Sequence, residues 1–186
     1  MRRAAYPPET QGRSPMLILP DGPDPRYHAE TQADERTFLV VVDDSVEMRA
    51  ALHFAARRAQ GTNGRVALVS VVSPPDLGPW MFVGSLMREE AREKAEQLVH
   101  RAASVVRIER GETPTVHIRE GEILTEVLRL IDEDPSISIL VLATAPASDD
   151  PGPLVRALTG RHVNRLRIPL TLVPGCLTDE EIDLLT

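Results

Sequence analysis

The sequence predicts an α/β fold: a doubly wound, five-stranded parallel sheet with helices on both faces. Three observations predict it. Between Thr37 and Gly175, apolar runs rich in Val, Ile and Leu alternate with stretches whose apolar residues recur at helical spacing. The runs are almost continuously apolar, as strands covered on both faces are. Glycine and proline punctuate the joins, as at Gly61, Gly111, Pro114, Gly121 and Pro135.

FLVVV (38–42) is the first strand. Met48, Leu52, Ala55, Ala56 and Ala59 then share one helical face, and Gly61 ends that helix. RVALVSVV (65–72) is the second strand. A proline-broken loop leads into a long charged helix over 84–109, with Ala91, Ala95, Leu98, Ala102 and Val105 turned inward. TVHI (115–118) is the third strand, and a helix carrying Ile123, Val127, Leu130 and Ile131 follows it. SISILVLA (136–143) is the fourth strand. A helix over 153–166 and a fifth strand, IPLTLV (168–173), complete the domain. The domain is therefore expected to span 37–175, between a flexible arm (1–36) and an acidic tail (176–186). The arm holds six of the 16 prolines, and its MLILP stretch is a candidate for docking on a sheet edge or a partner. The tail carries a capping box, Thr178 to Glu181, that predicts a short amphipathic helix.

The 186 residues are 42% hydrophobic and 26% charged, the balance of an ordinary globular domain. A net charge of -7 argues against nucleic acid as a partner, since phosphate contacts need surplus positive charge. Every basic residue is arginine except Lys94, so lysine-dependent chemistry has one candidate. Cys176 is alone, which excludes an intramolecular disulfide and points to a reducing cytoplasm. No apolar run is long enough to span a bilayer.

VVVDDS (40–45) places Asp43 and Asp44 at the carboxyl end of the first strand, where open α/β sheets bind ligands. The loop after Ala143 is expected on the same rim. An acidic pair there resembles the opening of response-regulator receiver domains. Phosphoryl chemistry of that kind needs an aspartate ending the third strand and a lysine ending the fifth. Here the third ends in His117, Ile118 and Arg119, and the fifth in Val173, Pro174 and Gly175. The receiver alternative is thereby excluded.

The span 37–175 instead resembles the universal stress protein family. The resemblance rests on VVVDDSVEMRAALHFAARRA, RVALVSVVSPP, TVHIREGEILTEVLRLIDE, SISILVLAT and ALTGRHVNRLRIPLTLVPG. It implies an adenine-nucleotide alpha-hydrolase-like fold with strand order 3-2-1-4-5, and dimers formed along the fifth strand. It also implies an adenine site at Val42, Asp43 and Val71. The phosphate loop of nucleotide-binding members, with its three glycines and hydroxyl, is not matched. Ala143 stands for the first glycine and Pro146 for the second; 13 residues rather than nine separate Pro146 from Gly160, and Arg161 replaces the hydroxyl. Asp149 and Asp150 add charge, and a carboxylate about 6 Å from a phosphate costs roughly 3 kcal/mol at an effective dielectric near 20. Either Arg156 and Arg161 offset part of this by pairing with phosphate, or Arg156, Arg161 and Arg165 are solvated or pair with those aspartates.

The five histidines show no metal-ligand spacing. Ser45 and Thr144 lack a nucleophile-elbow context. Ser45 is expected as the first helix's N-cap, with Asp44 and Glu47 favouring its dipole. GPWMFVG (78–84) is the one aromatic cluster, a candidate lid or partner contact around Trp80 or simple packing. The expectation is a non-enzymatic stress-response or regulatory module that does not take ATP through the usual loop. The alternative is an adenine-nucleotide sensor or weak ATPase binding ATP or AMP.

Overall fold

The computed structural model describes residues 36–74, 81–145 and 150–186. The arm, MLILP, Trp80, Pro146 and Asp149 lie outside them. The elements are β1 (Thr37–Val41), α1 (Met48–Gly61), β2 (Arg65–Val72), α2 (Met81–Arg110), β3 (Thr115–Glu120), α3 (Ile123–Glu133), β4 (Ile137–Thr144), α4 (Pro153–Thr159), a 3₁₀ turn (Val163–Arg165), β5 (Leu170–Pro174) and α5 (Asp179–Leu185). The strands form one sheet in the order β3-β2-β1-β4-β5, every neighbouring pair parallel.

Alternation along each strand divides the core between two layers. Phe38, Val40 and Val42, with Val66, Leu68, Val141 and Val173, meet α1, α2 and α5. Leu39, Val41, Ala67, Val69, Leu140 and Leu142 meet α3, α4 and Ile168 on the other face. The alanines of α1 (Ala50, Ala51, Ala55, Ala56 and Ala59) are all buried, and their small side chains let that helix lie close to the sheet.

Two helix boundaries and one helix face differ from expectation. α2 starts at Met81, so residues 81–84 of the expected aromatic loop belong to its first turn. Its buried stripe is Ala95, Val99, Ala102 and Val106, whereas Val105, expected inward, is 40% exposed. The helix expected over 153–166 stops at Thr159, because Gly160 leaves helical geometry at φ -104 and ψ -119. Arg167 explains why the chain then turns away. Its Nε donates to the carbonyl of Ile131 at 2.9 Å and its Nη2 to that of Asp134 at 2.8 Å, with a longer contact to Ile137. A guanidinium on the last carbonyls of α3 satisfies orphan acceptors and favours the helix dipole.

The capping box of α5 forms as the sequence predicts: Thr178 Oγ1 accepts the Glu181 N–H at 3.2 Å, and Glu181 accepts the Thr178 N–H at 2.9 Å. The acidic tail is not loose. Ile182 is fully buried in the α1/α2 layer, a burial that contributes roughly 1.5–3 kcal/mol.

Candidate functional site

β1 and β4 pair side by side in parallel, so Asp43 and the chain after Thr144 lie on one rim of the sheet. Asp43 is exposed, and its Oδ1 accepts the Ser45 N–H at 3.0 Å. That bond folds the backbone into an Asx turn and aims Ser45 at the start of α1. Ser45 Oγ accepts the Met48 N–H at 3.3 Å, the capping role expected of it, although Glu47 is the residue that adjoins the helix.

Asp44 has a partner that the sequence did not indicate. It reaches across to α2, where its Oδ2 meets Lys94 Nζ at 2.5 Å. The hydrogen bond and the charge of Lys94 hold the Asp44 carboxyl below its ordinary range. Lys94, the chain's one lysine, is thus tied to the β1–α1 turn.

Val42 and Val71 do not converge through their side chains. Val42 N–H continues the ladder to the Val69 carbonyl at 2.7 Å, and its side chain is buried in the α1/α2 layer. Val71, half-buried, packs into the α3/α4 layer. Only their backbones share the rim beside Asp43. Ala143 pairs in register with Val173 and packs toward α1.

Beyond β5, the Gly175 N–H donates to the Thr144 carbonyl at 2.9 Å. A Cβ on Gly175 would lie 2.4 Å from Glu47 Cβ and 2.7 Å from that carbonyl oxygen. The end of β4, the start of α1 and the chain leaving β5 therefore meet at backbone contact distance, which only glycine permits.

Gly160 and Arg161 are exposed at the end of α4, the Gly160 N–H donating to the Arg156 carbonyl at 3.1 Å. The amino end of a helix favours a bound anion, and Gly160 and Arg161 stand at the opposite end. At the amino end stands Gly152, with φ +94, followed by Pro153. Asp150 occupies this position: its Oδ1 accepts the Gly152 N–H at 2.9 Å and lies 3.3 Å from Arg156 Nε. The chain's own carboxylate thus takes the amide and the guanidinium that a bound anion would use. The pairing of Arg156 with the loop aspartates was one of the two alternatives the sequence left open. The helix starts at Pro153, as expected from the sequence, with Gly152 at its N-cap.

His53, which no sequence motif marks, has a carboxylate on either side of its ring. Its Nδ1 lies 3.2 Å from Glu109 Oε1 on α2, and its Nε2 lies 2.9 Å from Asp183 Oδ1 on α5. The sequence does carry a repeat: Arg49, His53 and Arg57 recur every fourth residue on α1, and Asp179 and Asp183 do so on α5. Among the described residues, no three His, Cys, Asp or Glu side chains converge as metal ligands, and no helix is long and apolar enough to cross a membrane.

Comparison with known proteins gives this architecture a family. The model of the universal stress protein family matches residues 35–174. The universal stress protein UspA of Lactobacillus plantarum is 18% identical, with a TM-score of 0.64 over 76% of this chain and 99% of its own. The universal stress protein of Archaeoglobus fulgidus in complex with dAMP is also 18% identical, with a TM-score of 0.54 over 76% and 98%. An Arabidopsis thaliana family protein with AMP bound is 14% identical, with a TM-score of 0.52 over 75% and 91%. No match emerged among curated protein sequences. The family match covers most of the chain, and the strand order is the one the resemblance implied: the chain belongs to the universal stress protein family.

Proposed function

We propose that this chain is a non-enzymatic regulatory module of the stress response that works through protein contacts and does not take ATP through the family's usual loop. One observation carries this: Asp150 holds both the Gly152 amide and Arg156 at the start of α4. A nucleotide phosphate arriving there meets a negative charge where it needs donors. The protein acts in the reducing cytoplasm, where Cys176, exposed, stays a thiol. It works as a homodimer joined along 168–173, since β5 is a sheet edge and Leu172 on it is exposed. Trp80 is a candidate partner contact.

A second reading is an adenine-nucleotide sensor. It is favoured by the AMP and dAMP held by two structural neighbours and by the exposed Asp43 on the rim. It would use Asp43, the backbones of Val42 and Val71, and Ala143, with Gly160 and Arg161 nearby. Thermal melting with millimolar-range ATP, AMP or dAMP separates the two. The expected outcome is an unmoved midpoint for the wild type, and a nucleotide-dependent rise only once Asp150→Ala frees the amide and Arg156. A saturable wild-type shift that vanishes in Asp43→Ala would establish the sensor instead.

A further inference from the structure

The family match ends at residue 174, yet the chain continues into α5, docked on α1. Its docking is mainly a matter of charge around one buried anchor. Arg49 Nη2 meets Asp179 Oδ1 at 2.6 Å, Arg57 Nε meets Asp183 Oδ1 at 2.7 Å, and Arg58 Nη1 donates to the Thr186 carbonyl at 3.3 Å. His53 sits in the middle of this array with its side chain only 13% exposed, a carboxylate on each ring nitrogen.

That arrangement specifies a protonation state. A neutral imidazole has one N–H, so it can satisfy Glu109 or Asp183 but must point a lone pair at the other. The imidazolium donates to both. Glu109 has no easy substitute, because its second oxygen, Oε2, is buried without a hydrogen-bond partner.

We propose that His53 is a proton-operated clamp: its doubly protonated ring ties α5 to α1 and α2, and loss of one proton loosens α5 from the domain. The groups facing the ring are Glu109 from α2, Asp179 and Asp183 from α5, and Arg49 and Arg57 from α1, so carboxylates outnumber guanidiniums around it. Burial works against the charged ring, but the hydrogen bonds to Glu109 and Asp183 and the pull of Glu109 and Asp179 outweigh it. The result is a pKa above the ordinary 6.5. A raised folded-state pKa fixes the direction of the effect. The clamp is at full strength below the ordinary imidazole value and is lost as pH rises through the raised one. His53, Glu109 and Asp179 also line a groove of about 610 Å³ between α1 and α2, floored by Met48, Leu52 and Leu98, so loosening α5 widens one end of it.

Hydrogen-exchange mass spectrometry on the full chain tests this, with rates corrected for intrinsic exchange. Protection of residues 179–185 is compared at about pH 6 and about pH 8.5, the range across which histidine switches. In the wild type it should fall roughly fivefold on raising the pH, the factor that about 1 kcal/mol of charge pairing supplies. In His53→Gln it should be low and equal at both pH values, while β1 protection stays unchanged. Equal wild-type protection at both values, or an undiminished pH response in His53→Gln, overturns the clamp. Should the variant misfold, ¹⁵N titration of the wild-type ring decides. Both nitrogens must stay protonated above the ordinary range, and a ring that titrates at or below it overturns the proposal.

Discussion

Gly175 shows how tightly a single residue constrains the rim. Its missing side chain lets Glu47 and the Thr144 carbonyl approach to distances no Cβ tolerates, and two of the three atoms it would meet are backbone or Cβ of a helix start. Gly175→Ala is therefore expected to lower stability by about 1–3 kcal/mol, the usual cost of overpacking. Gly61 is the contrast. The nearest atom to its Cβ position is 3.7 Å away and its φ is ordinary, so Gly61→Ala should be neutral or gain about 0.4–1 kcal/mol through the unfolded chain. Urea melts of the two variants, run side by side, check both. The residues that line the rim were legible one at a time: Asp43, Asp44 and Ser45 follow from a strand that runs into acids and a hydroxyl. Which partner each would take was not. Lys94 is 50 residues from Asp44, and nothing local in VVVDDS points to it.

Among the elements, the strands and the first three helices were readable because buried residues recur with period 2 or 3.6, a property each segment carries by itself. The stretch from 153 to 167 was legible only in where its helix begins. Its helix ends early because Gly160 breaks it and Arg167 is drawn to the carboxyl end of α3, a contact set by tertiary structure. Gly160 therefore lies at the carboxyl end of α4, and Gly152 caps its amino end. α5 lies between these cases. Its capping box announced a helix, but its docking depends on matching charged stripes on α1 and α5. Ile182 is the apolar anchor of that docking. Ile182→Ala should cost about 2–5 kcal/mol if the domain unfolds as a single unit, read as a lower thermal midpoint. A loss confined to the protection of 179–185, with the midpoint unmoved, would show instead that α5 is energetically separate.

For the whole molecule, the order β3-β2-β1-β4-β5 leaves two edges among the described residues, and they differ. β5 exposes Leu172 and β3 exposes Val116, but β3 also carries His117, Arg119 and Glu120. Charge on an edge discourages pairing, so β5 is the edge suited to a second copy. Sedimentation should show a dimer for the wild type and a monomer for Leu172→Glu; a monomeric wild type would remove the proposed interface.

An edge strand with one neighbour ordinarily frays before the rest of its sheet. The grip of Arg167 changes that, since one guanidinium holds the carbonyls of Ile131, Asp134 and Ile137 together just ahead of β5. β5 cannot peel from β4 at its starting end without also undoing the end of α3. The three segments should open as one cooperative unit, with a shared opening free energy, rather than as a loose strand on a rigid body.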